Sequence, residues 1–232
     1  MTNKAVTLLK IPGLLPYKTG LQLQHTLWQQ AKTSRHNYLI VCQHSPVYTF
    51  GKRQTKLDLA GERTRLEALG AECHVTNRGG LTTFHGPGQL VCYPILNLRN
   101  FTSSARWYVN CLEETVINTC GEMGVRAERC EHVGIWAGTN KICALGVNIQ
   151  QRCTTHGLAL NCDTALHWFD SIVPCGIAGR GVTSVSEVLG RECGVEEVTQ
   201  VLLEKFSEVF ECKIEEGRVD EVLEGGLERT KG

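Results

Sequence analysis

The chain has 232 residues, of which 42% are hydrophobic and 21% charged, an ordinary globular composition with enough length for one large domain. Its 24 basic and 24 acidic residues give a net charge of zero, so nothing in the charge indicates a nucleic acid or a membrane surface as a partner. No apolar run reaches the ~20 residues that a membrane-spanning helix needs, and no span is expected.

The predicted elements place strands in the middle of the chain and helices at its flanks, which indicates an α+β domain and not a regular βαβ succession. A single domain over residues 1–232 is expected, with a flexible tail from about 220 to 232. The elements in chain order are a strand (5–11), a helix (17–34), strands (38–42, 46–50), a short helix (61–69) closed by Gly70, strands (73–76, 90–96), a helix (104–123) capped by Ser104, strands (133–137, 141–149, 154–161) and a helix (195–210).

The N-terminal region is basic and lacks acidic residues. The first acidic residue is Asp58, and eight lysines and arginines precede it. This bias is typical of a mitochondrial import signal, so residues 1–35 are expected to overlap a targeting segment although they also have the pattern of folded structure.

Twelve cysteines occur, and the closest pairs are nine residues apart. Without any C-x-x-C spacing, a zinc ribbon or a thioredoxin-type site has little support, and no metal is expected. A reducing compartment is the simplest interpretation, with eleven of the thiols packed as small hydrophobic side chains. Cys175 differs, because it lies between Pro174 and Gly176 in a glycine-rich segment that is typical of an exposed loop.

The densest signal is R-G-G-L-T-T-F-H-G-P-G-Q over residues 78–89, with four glycines and one proline. Gly79 and Gly80 permit positive φ and a close approach of backbone amides to a ligand, with Arg78 and His85 on either side. The segment is predicted to be a tight hairpin, in which strand 73–76 returns as 90–96, and also the lining of a pocket. It does not match a phosphate-binding loop.

Two further segments carry candidate residues. Lys141 opens the apolar run K-I-C-A-L-G-V, where a lysine is either solvated at the strand end or directed into a site. Gly157 interrupts T-H-G-L-A-L-N at 155–161, which indicates a bulge or the close approach of a ligand. A thiol acts as a nucleophile in its thiolate form, which a neighbouring ammonium favours, so Lys141 would activate Cys175 if the fold brings the two together.

These four segments, R-G-G-L-T-T-F-H-G-P-G-Q-L, K-I-C-A-L-G-V, T-H-G-L-A-L-N and P-C-G followed by G-V-T-S, resemble in order and spacing the lipoyl(octanoyl) transferase family. The resemblance extends from about residue 38 to 190. It implies a mixed sheet flanked by helices, similar to the catalytic domain of biotin and lipoate ligases. It also implies that Cys175 is the acyl acceptor and Lys141 its catalytic partner. The substrate pocket implied by the family comprises Arg78, Gly79, Gly80, Leu81, Thr82, Thr83, Phe84, His85, Ala144, Leu145, Gly146, Gly157, Leu158 and Ala159.

The activity implied by the resemblance is octanoyl transfer from octanoyl-acyl carrier protein, through a cysteine thioester, to a lysine of a lipoyl domain in protein lipoylation. The expected acceptors are the glycine cleavage H protein and the E2 subunits of 2-oxoacid dehydrogenases. No cofactor and a monomeric enzyme are expected, in the mitochondrial matrix or, alternatively, in a bacterial-type cytoplasm. Alternative functions are an ATP-dependent lipoate–protein ligase and a non-catalytic lipoyl-domain-binding protein, while a thiol-redox or zinc protein rests on the cysteine count alone.

Overall fold

The structure is a computed structural model that describes residues 4–54, 56–172, 180–220 and 222, and in residues 56–60 the backbone alone. Its helices and strands are β1 (Ala5–Leu15), α1 (Tyr17–Ser34), β2 (Tyr38–His44), β3 (Val47–Phe50), α2 (Lys56–Glu67), β4 (Glu72–Val75), β5 (Thr83–His85), β6 (Gln89–Ile95), α3 (Ala105–Glu122), β7 (Ile135–Ala137), β8 (Asn140–Gln150), β9 (Cys153–Asn161), α4 (Val185–Leu189), α5 (Val195–Phe210) and β10 (Lys213–Glu216).

Seven strands form a mixed sheet in the order β10-β1-β2-β6-β9-β8-β7, and β4-β3-β5 form a second, smaller sheet. In the large sheet β1 is parallel to β10 and β2, while the pairs from β2 to β7 are antiparallel. Helices α3 and α5 pack on one face of this sheet and α1 packs on the other. The predicted α+β fold with a mixed sheet flanked by helices is therefore what the structure shows.

Helix α5 illustrates how the apolar pattern sets the packing. Val198, Leu202, Phe206 and Phe210 recur every four residues, and all four are fully buried. The rings of Phe206 and Phe210 stack with centroids 4.2 Å apart. Burial of such side chains contributes about 1.5–3 kcal/mol each, so this stripe holds the helix against the sheet.

The predicted cap of α3 is present as well. Ser104 has an extended backbone, and its hydroxyl accepts a hydrogen bond from the backbone N–H of Trp107. A cap of this kind stabilises a helix by about 1 kcal/mol because it satisfies one of the free N–H groups of the first turn.

The predicted hairpin between residues 73–76 and 90–96 is wrong. Strand β4 pairs in parallel with β3 in the small sheet, whereas β6 pairs with β2 and β9 in the large one. The glycine-rich segment between them contains the short strand β5, which pairs with β3. The segment therefore crosses from the small sheet to the large one, and β4 and β6 do not form a hairpin.

Other differences concern the ends and the small elements. Strand β1 continues to Leu15, and α2 begins at Lys56, earlier than its pattern predicts. The strand β10 and the helix α4 were not predicted, because each has too few residues to show a clear period. Cys175 and most of the expected tail, 221 and 223–232, lie outside the described residues. In the part of the chain that is described, none of the helices combines the length and the apolar character that a bilayer crossing needs.

Candidate active site

The glycine-rich segment is fixed between the two sheets by its backbone. The N–H of Gly79 donates to the carbonyl of Val147 in β8 at 3.0 Å, and Gly80 has a φ of +93°, a conformation that favours glycine. On the other side, a Cβ at Gly51 would collide with the carbonyl of Gly80. This close packing needs glycine at both positions, and it brings the segment against the middle of β8.

A narrow cavity opens where this segment meets β8 and β9. The space between its walls is about 420 Å³, including the open mouth. Its walls consist of Tyr17, Arg78, Gly80, Thr83, His85, Tyr93, Ala144, Leu145, Gly146, His156, Gly157, Leu158 and Ala159.

Two facing glycines let the walls approach each other. Gly146 in β8 pairs with Gly157 in β9. A Cβ on Gly146 would lie 2.9 Å from Cδ of Arg78, and one on Gly157 would collide with the carbonyl of Cys92 in β6. The glycine in β9 thus allows a close approach of the neighbouring strand, which is one of the two alternatives that its position in the strand indicated.

Arg78 is buried, and its guanidinium is bound by protein groups. Nη2 donates to the carbonyl of Thr49 at 2.5 Å and to its Oγ1 at 2.8 Å, while Nη1 donates to the carbonyl of Gly79 at 2.9 Å. Charge-assisted bonds of this kind satisfy the cation inside the protein. The residue thereby ties the glycine-rich segment to β3.

A directed hydrogen-bond chain continues from Thr49. Because Gln89 donates through Nε2 to the carbonyl of Phe84, its Oε1 must accept from Nδ1–H of His85 at 2.8 Å. Nε2 of His85 then accepts from the hydroxyl of Thr49 at 3.3 Å. Gln89 Nε2 also donates to Asn161, whose amide donates to the carbonyl of Thr183. This chain of hydrogen bonds fixes His85 as a neutral ring with the proton on Nδ1. It also links β3 to Thr183, which follows the residues 173–179 that the structure does not describe.

His85, His156 and Tyr17, which line the cavity, are uncharged at neutral pH. Burial, followed by the nearby His44 and Arg78, lowers the pKa of His85 to about 3. Burial and then Arg78 lower the pKa of His156 to about 4, and burial raises the pKa of Tyr17 to about 12. Among the described lining residues only Arg78 is charged, and protein acceptors bind it. The walls are therefore compatible with an apolar ligand.

Lys141 lies three residues before Ala144 on β8, about 10 Å along the strand. Its side chain is only 4% exposed, and its Nζ has no hydrogen-bond partner among the described residues. Nζ lies 4.9 Å from the centre of the Trp136 ring, a cation–π distance. The alternative of a solvated lysine at the strand end therefore does not hold.

The backbone of Lys141 is attached to the segment that follows the gap at 173–179. Its N–H donates to the carbonyl of Gly181 at 3.0 Å, and its carbonyl accepts from the N–H of Thr183 at 2.9 Å. Gly134, with a φ of +122°, leaves room for the lysine stem, because a Cβ there would lie 3.0 Å from Cε of Lys141. The ammonium is thus held by the strand, the ring and the stem contacts rather than by a counter-ion in the described part.

Ten of the pocket residues expected from the sequence line one cavity, and four do not. Phe84 packs in the core beneath the small sheet, where its ring stacks on Trp168 with centroids 5.0 Å apart. Thr82 binds Gln54 through its hydroxyl at 3.2 Å. The ten lining residues are Arg78, Gly80, Thr83, His85, Ala144, Leu145, Gly146, Gly157, Leu158 and Ala159; the four others are Gly79, Leu81, Thr82 and Phe84.

Three lining residues were missed. Tyr17 comes from the first turn of α1 and Tyr93 from β6, and neither lies in a motif, so their position follows only from the packing of α1 across the sheet. His156 directly precedes Gly157 in the T-H-G motif and could have been found there. Its φ of +57° is unusual for a residue with a side chain.

The described cysteines are structural. Burial is the main cause that raises the pKa of ten of the eleven: Cys42, Cys73, Cys92, Cys111, Cys120, Cys143, Cys153, Cys162, Cys193 and Cys212. The eleventh, Cys130, is half-buried and its sulfur lies 3.7 Å from Nη1 of Arg180. These ten thiols are poor nucleophiles, since the thiolate is the reactive form.

The fold defined here is shared with lipoate–protein ligases. The structure of lipoate-protein ligase A bound with ATP aligns with a TM-score of 0.76 at 18% identity, covering 95% of this chain and 92% of that one. The bipartite lipoate protein ligase of Thermoplasma acidophilum aligns with a TM-score of 0.75 at 17% identity, covering 95% of this chain and 89% of that chain. At these identities the likeness shows the fold.

The sequence comparisons identify the family. A family model described as the lipoyl protein ligase A/B catalytic domain matches residues 16–207. The mitochondrial octanoyl-(acyl-carrier-protein):protein N-octanoyltransferase of Danio rerio is 52% identical over 205 residues, 87% of this chain and 91% of that protein. The corresponding Homo sapiens protein is 42% identical, covering 92% and 97%, and the octanoyltransferase of Flavobacterium psychrophilum is 43% identical, covering 91% and 99%. The chain belongs to the lipoyl protein ligase A/B catalytic domain family, and the family recognised from its motifs is confirmed.

Proposed function

We propose that this chain transfers an octanoyl group to the lysine of a lipoyl domain through a thioester on Cys175, with Lys141 carrying the proton. The enzyme class is that of its relatives: it is an acyltransferase, an octanoyltransferase of protein lipoylation. The observation that carries the residue assignment is the buried Nζ of Lys141, which has no hydrogen-bond partner in the described part of the chain and lies on β8 three residues before Ala144 of the cavity.

Chain connectivity supports the pairing of the two residues. Cys175 is three residues from Ile172, so its Cα is within about 11 Å of that buried position. On the other side, the chain re-enters the described structure at Arg180, and Gly181 is bonded to the backbone of Lys141. The hydrogen bond between Lys141 and Gly181, which is six residues after Cys175, supports the proposed approach of the thiol to the ammonium.

The first half-reaction loads the enzyme. The thiolate of Cys175 attacks the thioester carbonyl of octanoyl-acyl carrier protein, forming a new S–C bond while the S–C bond to pantetheine breaks. The leaving pantetheine thiolate takes a proton from the ammonium of Lys141 and departs as a thiol. One thioester replaces another, so no ATP is consumed, and the acyl tail lies between Leu145 and Leu158 at a gain of roughly 0.8 kcal/mol per buried CH₂.

The second half-reaction discharges the acyl group. The neutral amine of the acceptor lysine attacks the Cys175 thioester, the N–C bond forms and the S–C bond breaks. The amine Nζ of Lys141, neutral after the first step, accepts the proton released by the acceptor amine. Cys175 returns to the thiolate and Lys141 to the ammonium, so the cycle closes with all protons accounted for.

The partners and compartment follow from this reaction. The donor is octanoyl-acyl carrier protein, and the acceptors are lipoyl domains such as the glycine cleavage H protein and the E2 subunits of 2-oxoacid dehydrogenases. Similar curated relatives are named mitochondrial, and bacterial octanoyltransferases are also similar. We assign the chain to the mitochondrial matrix, to be tested by the location of the full chain fused at its C-terminus to a fluorescent protein.

The decisive experiment is intact mass spectrometry after incubation with octanoyl-acyl carrier protein. We expect a single octanoyl adduct that maps to Cys175. Hydroxylamine should release it, and a lipoyl domain should accept it. Cys130→Ser is the matched control, because Cys130 is a half-buried cysteine outside the acyl cavity, and this variant should load normally. An adduct on another residue, or AMP release with lipoate and ATP in place of transfer, would refute the proposed reaction and favour the ligase.

A further inference from the structure

A second cavity lies directly beyond the first along the same two strands. On β8 the order is Lys141, then the cavity residues Ala144–Gly146, then Asn148 and Gln150, which line a surface groove. The antiparallel partner β9 shows the same order, because Thr155 of the groove pairs with Asn148. An acyl chain that enters beside Lys141 therefore points toward the groove.

The groove is much roomier than the cavity. Including its open mouth, the groove has a volume of about 870 Å³, against about 420 Å³ for the cavity. Its walls include the apolar side chains of Leu21, Trp28 and Val75 and the amides of Gln24, Asn77 and Asn148. The groove thus has the volume and the apolar contacts to receive the end of a longer chain.

His156 is the one residue that lines both spaces in the described part of the chain. Its Nε2 lies 2.7 Å from Oδ1 of Asn77, and its backbone N–H donates to Oε1 of Gln24 at 2.8 Å. On the cavity side its ring meets the Tyr93 ring edge-on, with centroids 6.3 Å apart. Groove residues therefore hold the histidine from one side while its ring contacts a cavity residue on the other.

The backbone of His156 shows that this position is maintained at a cost. A φ of +57° is unfavourable for a residue with a Cβ, and such conformations persist where the surroundings over-determine them. Nε2–H of the neutral ring donates to Asn77, and the amide Nε2 of Gln24 remains buried without a partner among the described residues. Two unfavourable features, the positive φ of His156 and the unpaired amide of Gln24, thus coincide at the boundary between the two spaces.

We propose that His156 limits the acyl chain length by closing the inner end of the acyl cavity against the groove. The inference rests on the proposed octanoyl transfer and makes His156 a specificity-determining residue for it. A smaller side chain at this position joins the cavity to the groove, so chains longer than eight carbons gain space. Each additional buried CH₂ is worth roughly a fourfold gain in binding, so a twelve-carbon chain gains well over tenfold even if it is only partly covered.

The test compares donors of different length with wild-type and variant enzymes. Octanoyl-, dodecanoyl- and tetradecanoyl-acyl carrier protein are used, and kcat/KM for transfer to a lipoyl domain is measured for each. His156→Gly and His156→Asn both shorten the side chain and tolerate positive φ. The matched control is Arg152→Gly, which relieves the same strain at a φ of +66° in an exposed turn outside both spaces. Calorimetric binding of octanoate and dodecanoate gives a second readout that needs no turnover.

The dodecanoyl-to-octanoyl ratio should rise at least about tenfold in the two His156 variants and stay unchanged in Arg152→Gly. An unchanged ratio in variants that keep octanoyl transfer overturns the inference. So does an equal loss at all chain lengths in both variants, because a purely structural histidine would give that result. Failure of the wild-type enzyme to transfer octanoyl would instead refute the proposed function, and the fatty-acid binding ratios would still decide the role of His156.

Discussion

Arg78 and Lys141, the two buried lysine or arginine side chains in the described part of the chain, are held in opposite ways. The guanidinium of Arg78 donates to the carbonyl of Thr49, its hydroxyl and the carbonyl of Gly79. The ammonium of Lys141 is as deeply buried but has an aromatic ring and no hydrogen-bond acceptor in the described residues. A buried charge without acceptors is costly, so selection for stability alone would not retain it. The comparison indicates that Arg78 supports the architecture, and it agrees with the proposed role of Lys141 in the reaction.

Replacement of Lys141 should give the largest effect on activity. Lys141→Met keeps the length of the side chain but removes its charge and its proton. We expect kcat/KM for octanoyl transfer to fall about 10³-fold, within the range of general acid–base groups. The free energy of unfolding should stay the same or rise by about 1 kcal/mol, because an unpaired buried charge is lost. A large loss of stability in a denaturant titration would contradict the assigned contrast with Arg78.

The matched replacement of Arg78 should mainly reduce stability, whereas that of Lys141 should mainly reduce activity. Arg78→Met leaves the acceptors on Thr49 and Gly79 buried without donors, at about 1–3 kcal/mol each. We expect the free energy of unfolding to fall by about 3 kcal/mol, measured in the same titration. If the variant kept full stability and lost only activity, Arg78 would be a substrate ligand and not a structural cation.

The pH dependence of stability tests the neutral histidine that Arg78 supports. His85 is neutral when folded, with a pKa of about 3, but it binds a proton below about pH 6.5 when unfolded. The contribution of neutral His85 to the free energy of unfolding is therefore complete above pH 6.5 and is lost as the pH falls toward 3. The loss is roughly 2 kcal/mol at pH 5. In His85→Gln the fall in unfolding free energy between pH 7 and 5 should be shallower by that amount.

The exposed His167→Gln is the control for this measurement, and its slope should match that of the wild type. An identical slope in His85→Gln and the wild type would mean that folding does not lower the pKa of His85.

The smallest expected effect concerns the hydroxyl of Thr49, which is part of the hydrogen-bond network around Arg78. Thr49→Val removes the Oγ1 that accepts from Arg78 and donates to His85, but it keeps the backbone carbonyl that also binds the arginine. We expect a loss of about 1–2 kcal/mol in unfolding free energy, seen by thermal or chemical denaturation. Thr26→Val, on an exposed face of α1, should change it by less than about 0.5 kcal/mol. Equal effects would show that the Thr49 hydroxyl is not part of a connected network.

Much of the fold could be predicted because long elements carry a clear period. Helices α1 and α5 match their predicted ranges, 17–34 and 195–210, since each buries a continuous apolar stripe. The pairing of β4 and β6 could not be predicted, because strand partners depend on which sheet each strand joins. A three-residue strand such as β5 is too short to show that choice in the sequence.

The lining residues that lie in sequence motifs could be predicted, whereas those placed by tertiary packing could not. Three sequence motifs gave ten of the lining residues, whereas Tyr17 and Tyr93 lie in none of them and reach the cavity through the packing of α1 and β6. The role of Phe84 in the core of the small sheet also depends on tertiary packing, since its motif position says nothing about which way the ring turns. Lys141 was placed correctly in the strand, but only the structure shows that it is buried. The pairing of Lys141 with Cys175 stays a prediction.

The position of β1 has a consequence for maturation. This strand lies between β10 and β2, and the helix that follows it supplies Tyr17 to the cavity. A processing peptidase that cut after residue 34 would expose two sheet edges prone to aggregation and would remove one wall of the acyl cavity. We therefore expect residues 5–34 to remain on the working enzyme.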